Sequence, residues 1–171
     1  PDGRQQIVGL LFAPDFVGRA YSENNPYFAE AATAVELCCF PRDSFESLLR
    51  EFPGLEHRLF ERTLNELDSA REWMVLLGRK TAQEKVASFL FLLAKRSLMI
   101  GCPHSPGPSQ TAFELPLTRA DIADYLGLTI ETVSRQITRL KAEGQISLVD
   151  TLHVSVQSIE ALANAAGLDP S

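Results

Sequence analysis

Apolar residues recur every three or four positions over two long stretches of this chain, and they cluster or alternate over several short ones. From Leu55 to Leu77 the residues Leu59, Thr63, Leu67, Ala70, Met74 and Leu77 keep helical spacing with charged residues between them. That pattern predicts one long amphipathic helix, which Gly78 ends or interrupts. Thr81 to Ile100 predicts a second, with a broad apolar face of Val86, Phe89, Leu90, Leu93 and Leu98. A shorter helix is expected at Asp43 to Arg50, ending near Phe52-Pro53. Before it, the apolar runs Gln6 to Phe12, Phe16-Val17 and Ala31 to Phe40 predict strands, with a turn at Pro14-Asp15, a bend at Gly18 and a stop at Pro41. These strands are too few to close a sheet, so further strands are expected upstream and the chain reads as beginning inside a larger protein.

The densest pattern is Thr118 to Lys141, T-R-A-D-I-A-D-Y-L-G-L-T-I-E-T-V-S-R-Q-I-T-R-L-K. Thr118 is placed to cap a first helix, with Asp121 as a weak acidic member of a capping box. Ile122, Ala123 and Leu126 face inward, and Gly127 supplies the left-handed turn. Thr129 caps a second helix whose buried stripe is Val133, Ile137 and Leu140, closed by Gly144. Ile130, Glu131, Ser134, Arg135 and Thr138 lie away from that stripe. Ile146 to Leu148 and Leu152 to Val156 alternate around Asp150-Thr151 as a hairpin, and Ser158 caps a last short helix. A helix buried on one side and polar on the other, followed by a hairpin, is the layout of a winged helix-turn-helix that enters a DNA major groove. The competing reading is two ordinary helices of a small helical domain.

Composition adds limits. With 171 residues and 45% apolar content the chain can fold as one domain or two small ones. The net charge is −6, and residues 114 to 171 hold four Lys/Arg against eight Asp/Glu, a balance of −4 that argues mildly against nucleic acid. Thr129 to Lys141 reverses it locally, with Arg135, Arg139 and Lys141 against Glu131. No apolar run is long enough to span a membrane, no signal peptide is visible, and three cysteines (Cys38, Cys39 and Cys102) fit a reduced cytoplasmic chain. These three are the candidate redox positions, and Cys102 with His104 lacks the companions of a metal site. No nucleophile, phosphate-loop or zinc motif is present, and His57, His104 and His153 are isolated, so no catalytic residue, metal or cofactor is expected.

Residue chemistry then assigns roles. Arg135 can donate two parallel hydrogen bonds to guanine, Glu131 can accept from a cytosine or adenine amino group, and Ser134 is short enough for close approach. Thr118, Arg119, Thr129, Thr132 and Arg139 suit phosphate contacts. The plain alternative for Glu131 and Arg135 is a solvent-exposed ion pair one turn apart. For Leu59, Thr63, Leu67, Ala70, Met74 and Leu77 the favoured partner is the same helix of a second subunit, with packing inside one chain as the alternative.

Leu117 to Leu140 resembles the winged helix-turn-helix of the cyclic-AMP receptor/FNR superfamily of bacterial transcription regulators. The run E-T-V-S-R at 131–135 is similar to its FNR and FixK branch. The resemblance implies that Glu131, Ser134 and Arg135 read bases in a palindrome of the TTGAT-N4-ATCAA type, and that RNA polymerase is a partner. It also implies a fold of class α+β. Residues 1–50 would be the C-terminal part of a β-roll effector domain, 51–78 a dimerisation helix, and 79–171 the winged helix-turn-helix domain. The segment F-V-G-R-A-Y-S-E-N-N-P-Y-F-A-E-A-A lacks the G-E-x-x-G run and the R-S/T pair of a cyclic-nucleotide pocket. Cys38 resembles the central cysteine of an iron–sulfur ligand set, but one thiolate does not hold a cluster. FixK-like members resemble this pattern, and through them the resemblance points to control of microaerobic respiration and nitrogen fixation. The expectation is a homodimeric, sequence-specific transcription activator that binds double-stranded DNA. A winged-helix protein-interaction module is the rival.

Overall fold

The computed structural model describes residues 6–100, 111–148, 150 and 153–168. Six helices and three strands follow one another as α1 (Arg42–Glu51), α2 (Pro53–Arg79), α3 (Ala82–Ile100), β1 (Thr111–Glu114), α4 (Arg119–Leu126), α5 (Ile130–Ala142), β2 (Ile146–Leu148), β3 (His153–Val156) and α6 (Ile159–Ala165). The α+β class stands. The chain divides into two compact units, one of residues 9–74 and one of residues 75–171 together with 1–8.

In the first unit, α1 buries Leu49 completely, and Phe45 stacks on Phe16 with ring centroids 5.3 Å apart. Asp15 pairs with Arg62 on α2 at 3.6 Å, and Glu46 pairs with Arg42 at 3.0 Å. The strands expected at Gln6 to Phe12, Phe16-Val17 and Ala31 to Phe40 are not formed: described residues 6–41 contain no strand. A strand persists only when a neighbouring strand takes its backbone donors and acceptors, and here Val8, Leu11, Val35, Leu37 and Phe40 stay exposed. Gly78 does not end the long helix, which runs on to Arg79.

The second unit is built around α3, whose Val86, Ala87, Phe89, Leu90, Leu93 and Ala94 are buried. Thr81 starts this helix. Its backbone N–H and hydroxyl both donate to Glu84 Oε2 at 2.7 Å, and Glu84 N–H returns to the Thr81 hydroxyl at 3.4 Å. This reciprocal cap satisfies donors that the first turn leaves open. The sheet has the order β1-β3-β2, antiparallel throughout, with Phe113 opposite Val154 and Ile146 opposite Val156. Phe113, Ile146, Val154 and Val156 are buried, so one face of the sheet closes the core. Strand β1 was not anticipated from the sequence. Its signal is the alternation Thr111, Phe113, Leu115, Leu117, all buried, just after the proline- and glycine-rich run 101–110.

Candidate nucleic-acid interface

Helix α4 begins at Thr118, whose hydroxyl accepts from Asp121 N–H at 3.2 Å while Asp121 Oδ2 accepts from Thr118 N–H at 2.9 Å. The capping box is complete although Asp replaces the usual Glu. Ile122, Ala123, Tyr125 and Leu126 are buried, and Tyr125 meets Phe89 of α3 edge-on at 5.8 Å. Gly127 then turns the chain at φ 61°, a left-handed conformation that glycine adopts without steric penalty. Leu128 N–H bonds back to Ala123 O at 3.0 Å, which closes the end of α4.

Helix α5 restarts at Thr129, whose hydroxyl accepts from Thr132 N–H at 3.3 Å. Val133, Ile137 and Leu140 are buried, together with Gln136, which the sequence reading left aside. Glu131, Ser134, Arg135 and Thr138 are exposed, as is Ile130. The three side chains expected to read bases therefore share one open face. Glu131 does not pair with Arg135. Its carboxylate is held below the usual carboxylate range by its own backbone N–H and by the Thr129 hydroxyl. Among the described residues Arg135 has no ion-pair or hydrogen-bond partner, so its guanidinium is unengaged.

The residues expected at phosphates are less uniform. Thr118 and Thr129 are exposed, but both hydroxyls are engaged in the caps. Thr132 is half-buried beside Thr129. Arg139 is held at 2.8 Å by Glu143, whose other oxygen accepts from Gln83 and Gln145 at 3.4 and 3.3 Å. Arg119 is half-buried at the first turn of α4, where burial lowers its pKa, and its Nη1 is buried without a hydrogen-bond partner among the described residues. A charged donor in that position lacks its natural counterpart, an anion.

The hairpin β2–β3 follows α5, and at its described edge Asp150 accepts from both His153 N–H and His153 Nδ1 at 2.8 Å. His57 lies 3.2 Å from Glu61 on α2. Among the described residues no group of three potential metal ligands converges. Cys38 and Cys39 are exposed, and Cys102 and His104 lie outside the described residues. Along α2, Thr63, Leu67, Ala70 and Met74 are exposed while Leu59 and Leu77 are half-buried. Phe60 and Leu64, absent from the sequence-derived stripe, are exposed beside them at 60% and 44%, which widens the uncovered apolar face. A phenylalanine one residue off the chosen register was the signal for it.

The Crp-like helix-turn-helix domain family matches residues 84–165. Over 162 residues the chain is 52% identical to a probable transcriptional activator of Rhizobium leguminosarum bv. viciae, covering 95% of this chain and 65% of that protein. It is 50% identical over 168 residues to the transcriptional activator protein FnrL of Cereibacter sphaeroides, covering 98% and 67%. The chain thus spans about two thirds of the length of both relatives. Among solved structures, FixK2 from Bradyrhizobium japonicum matches with TM-score 0.61 and 35% identity over 76% of this chain and 59% of that one.

Proposed function

This chain belongs to the CRP/FNR family of transcription regulators, in the company of its FnrL and FixK members, and on that premise we propose that it is a sequence-specific DNA-binding transcription activator. The observation that carries the reading is the split character of α5: Val133, Ile137 and Leu140 are buried, while Glu131, Ser134 and Arg135 stand together on the open side. Arg135, unengaged, is the guanine reader, Glu131 the acceptor for a base amino group, and Ser134 the close-approach position. Arg119 anchors a phosphate that supplies the missing partner of its guanidinium, and Thr118, Thr129 and Thr132 are assigned to further phosphate contacts. Arg139 joins them only by exchanging Glu143 for a phosphate.

In this reading residues 1–50 belong to an effector domain, 51–78 form a dimerisation helix, and 79–171 form the DNA-binding domain. The exposed apolar face of α2 pairs with its copy in a homodimer, and two α5 helices enter successive major grooves about 34 Å apart. The operator is a palindrome of the TTGAT-N4-ATCAA type, and the bound dimer recruits RNA polymerase. Relatives of this group are regulators and not enzymes. Among the described residues no helix is long and apolar enough to cross a membrane.

Selection of bound sites from random duplexes tests the proposal. Enrichment of a two-fold-symmetric sequence supports it. The net charge of −6 favours a second reading, a winged-helix module that binds protein, and absence of any enriched sequence would establish that one instead.

A further inference from the structure

Helix α5 ends on a residue of the wrong sign. Glu143 is its C-cap, where the carbonyls of the last turn already carry partial negative charge and basic side chains are favoured. Arg139 and Lys141, in the turn before it, follow that rule, and Glu143 breaks it. Three donors from three places hold its carboxylate there. Oε1 accepts from Arg139 Nε at 2.8 Å, and Oε2 accepts from Gln83 of α3 at 3.4 Å and from Gln145 at 3.3 Å. Gln145 stands just before β2, its backbone fixed by its own N–H, which donates to Leu140 O at 3.0 Å. Its side-chain oxygen is buried without a hydrogen-bond partner among the described residues, so the amide is turned to serve the carboxylate. All four residues lie within 75–171, in one compact unit.

Arg139 is the open member of the group. Its side chain is 59% exposed against 35% for Glu143, and among the described residues it is engaged through Nε alone. It stands four residues after Arg135, one turn or about 6 Å further along the same helix. A helix that reads bases with its first turns brings its later turns toward the phosphates at the groove rim. Glu143 thus sets a fixed anion beside the guanidinium that a phosphate would otherwise reach.

We propose that Glu143 is an intramolecular stand-in for a DNA phosphate, which occupies Arg139 in the free protein and lowers affinity for every sequence until a phosphate displaces it. This role rests on the DNA-binding reading above and concerns how strongly α5 is held, not which bases it reads. Among the described residues the carboxylate touches none of Glu131, Ser134 and Arg135. An exposed ion pair is weak, so one phosphate suffices to displace it. The exchange releases less counter-ion than a free arginine would, because the freed carboxylate gathers a cation as the phosphate gives one up. Salt dependence therefore carries the signature.

Wild type, Glu143→Gln, Arg139→Gln/Glu143→Gln and Glu160→Gln are titrated at several salt concentrations on the duplex enriched by selection and on random duplex. Glu143→Gln keeps the shape of the side chain and removes its charge. Glu160→Gln removes an equal charge from the exposed first turn of α6 and controls for net charge. Glu143→Gln is expected to bind both duplexes roughly two- to fivefold more tightly, the size of one exposed ion pair. Its slope of log K against log salt is expected to steepen by up to about 1 for each α5 bound. The double variant loses the added slope, and Glu160→Gln keeps the wild-type values. Unchanged or weaker binding by Glu143→Gln overturns the proposal; weaker binding would mean that the carboxylate orients Arg139 and does not block it. Added slope that persists without Arg139, or that Glu160→Gln reproduces, overturns it too, by reducing the effect to net charge. No binding of either duplex by wild type and Glu143→Gln alike would remove the DNA-binding reading, and this proposal with it.

Discussion

Arg135 and Arg119 illustrate how the same side chain is given different work by its surroundings. Arg135 projects from an exposed helical face with no partner among the described residues, whereas Arg119 is half-buried with an unsatisfied nitrogen. Arg135→Ala is therefore expected to lose roughly 1–3 kcal/mol of discrimination at one symmetric pair of base positions, with non-specific binding little changed. Arg119→Ala is expected to weaken all sequences alike and to reduce the slope of log K against log salt by about 1. Competition titrations at several salt concentrations check both, and equal losses of Arg135→Ala on specific and random DNA would remove its assigned role. The exposed Glu131–Arg135 ion pair was the plain reading of their spacing. The carboxylate turns instead to Thr129 and its own backbone, because the open N–H groups of a first helical turn compete for it.

Caps do at the level of elements what the apolar stripe does not: they fix where α3, α4 and α5 begin. Thr118→Ala removes both hydroxyl contacts with Asp121 and is expected to destabilise the second unit by about 1 kcal/mol, measured by thermal or denaturant unfolding. Glu84 adds a pH dependence. The Thr81 backbone N–H and hydroxyl hold its carboxyl below the usual range, so this contribution is present above the ordinary carboxylate pKa. It is lost as the pH falls through the lower, folded value. An acid titration followed by circular dichroism is expected to show that Glu84→Gln removes this part of the pH dependence. Both α4 and α5 were legible from the sequence because a cap, a 3.6-residue stripe and a glycine lie within a few residues of one another. Strand β1 was not, because Thr111 to Glu114 becomes a strand only by pairing with His153 to Val156.

For the whole molecule, the uncovered apolar face of α2 is the feature on which the proposed dimer depends. Leu67 and Met74 are 45% and 67% exposed, far more than an apolar stripe keeps when it is covered. Leu67→Glu is expected to leave helix content intact, to shift the sedimentation coefficient to that of a monomer, and to lower affinity for the palindrome roughly a hundredfold or more through lost avidity. Retention of a dimer by this variant would direct the interface elsewhere.

The amino-acid sequence by itself determined the local elements of this protein: two long helices, a capped helix-turn-helix with its buried and open faces, and a following hairpin. Each is written in periodicities and caps that act over a few residues, so a linear reading reaches them. Tertiary structure alone decided which side chains were left unengaged. Gln136 entered the core, Lys80 crossed to Ala166, and the apolar runs before Pro41 formed no strand. Several of these outcomes depend on partners far along the chain, 86 positions apart for Lys80 and Ala166, and the missing strands depend on a neighbouring edge. No local pattern records such partners.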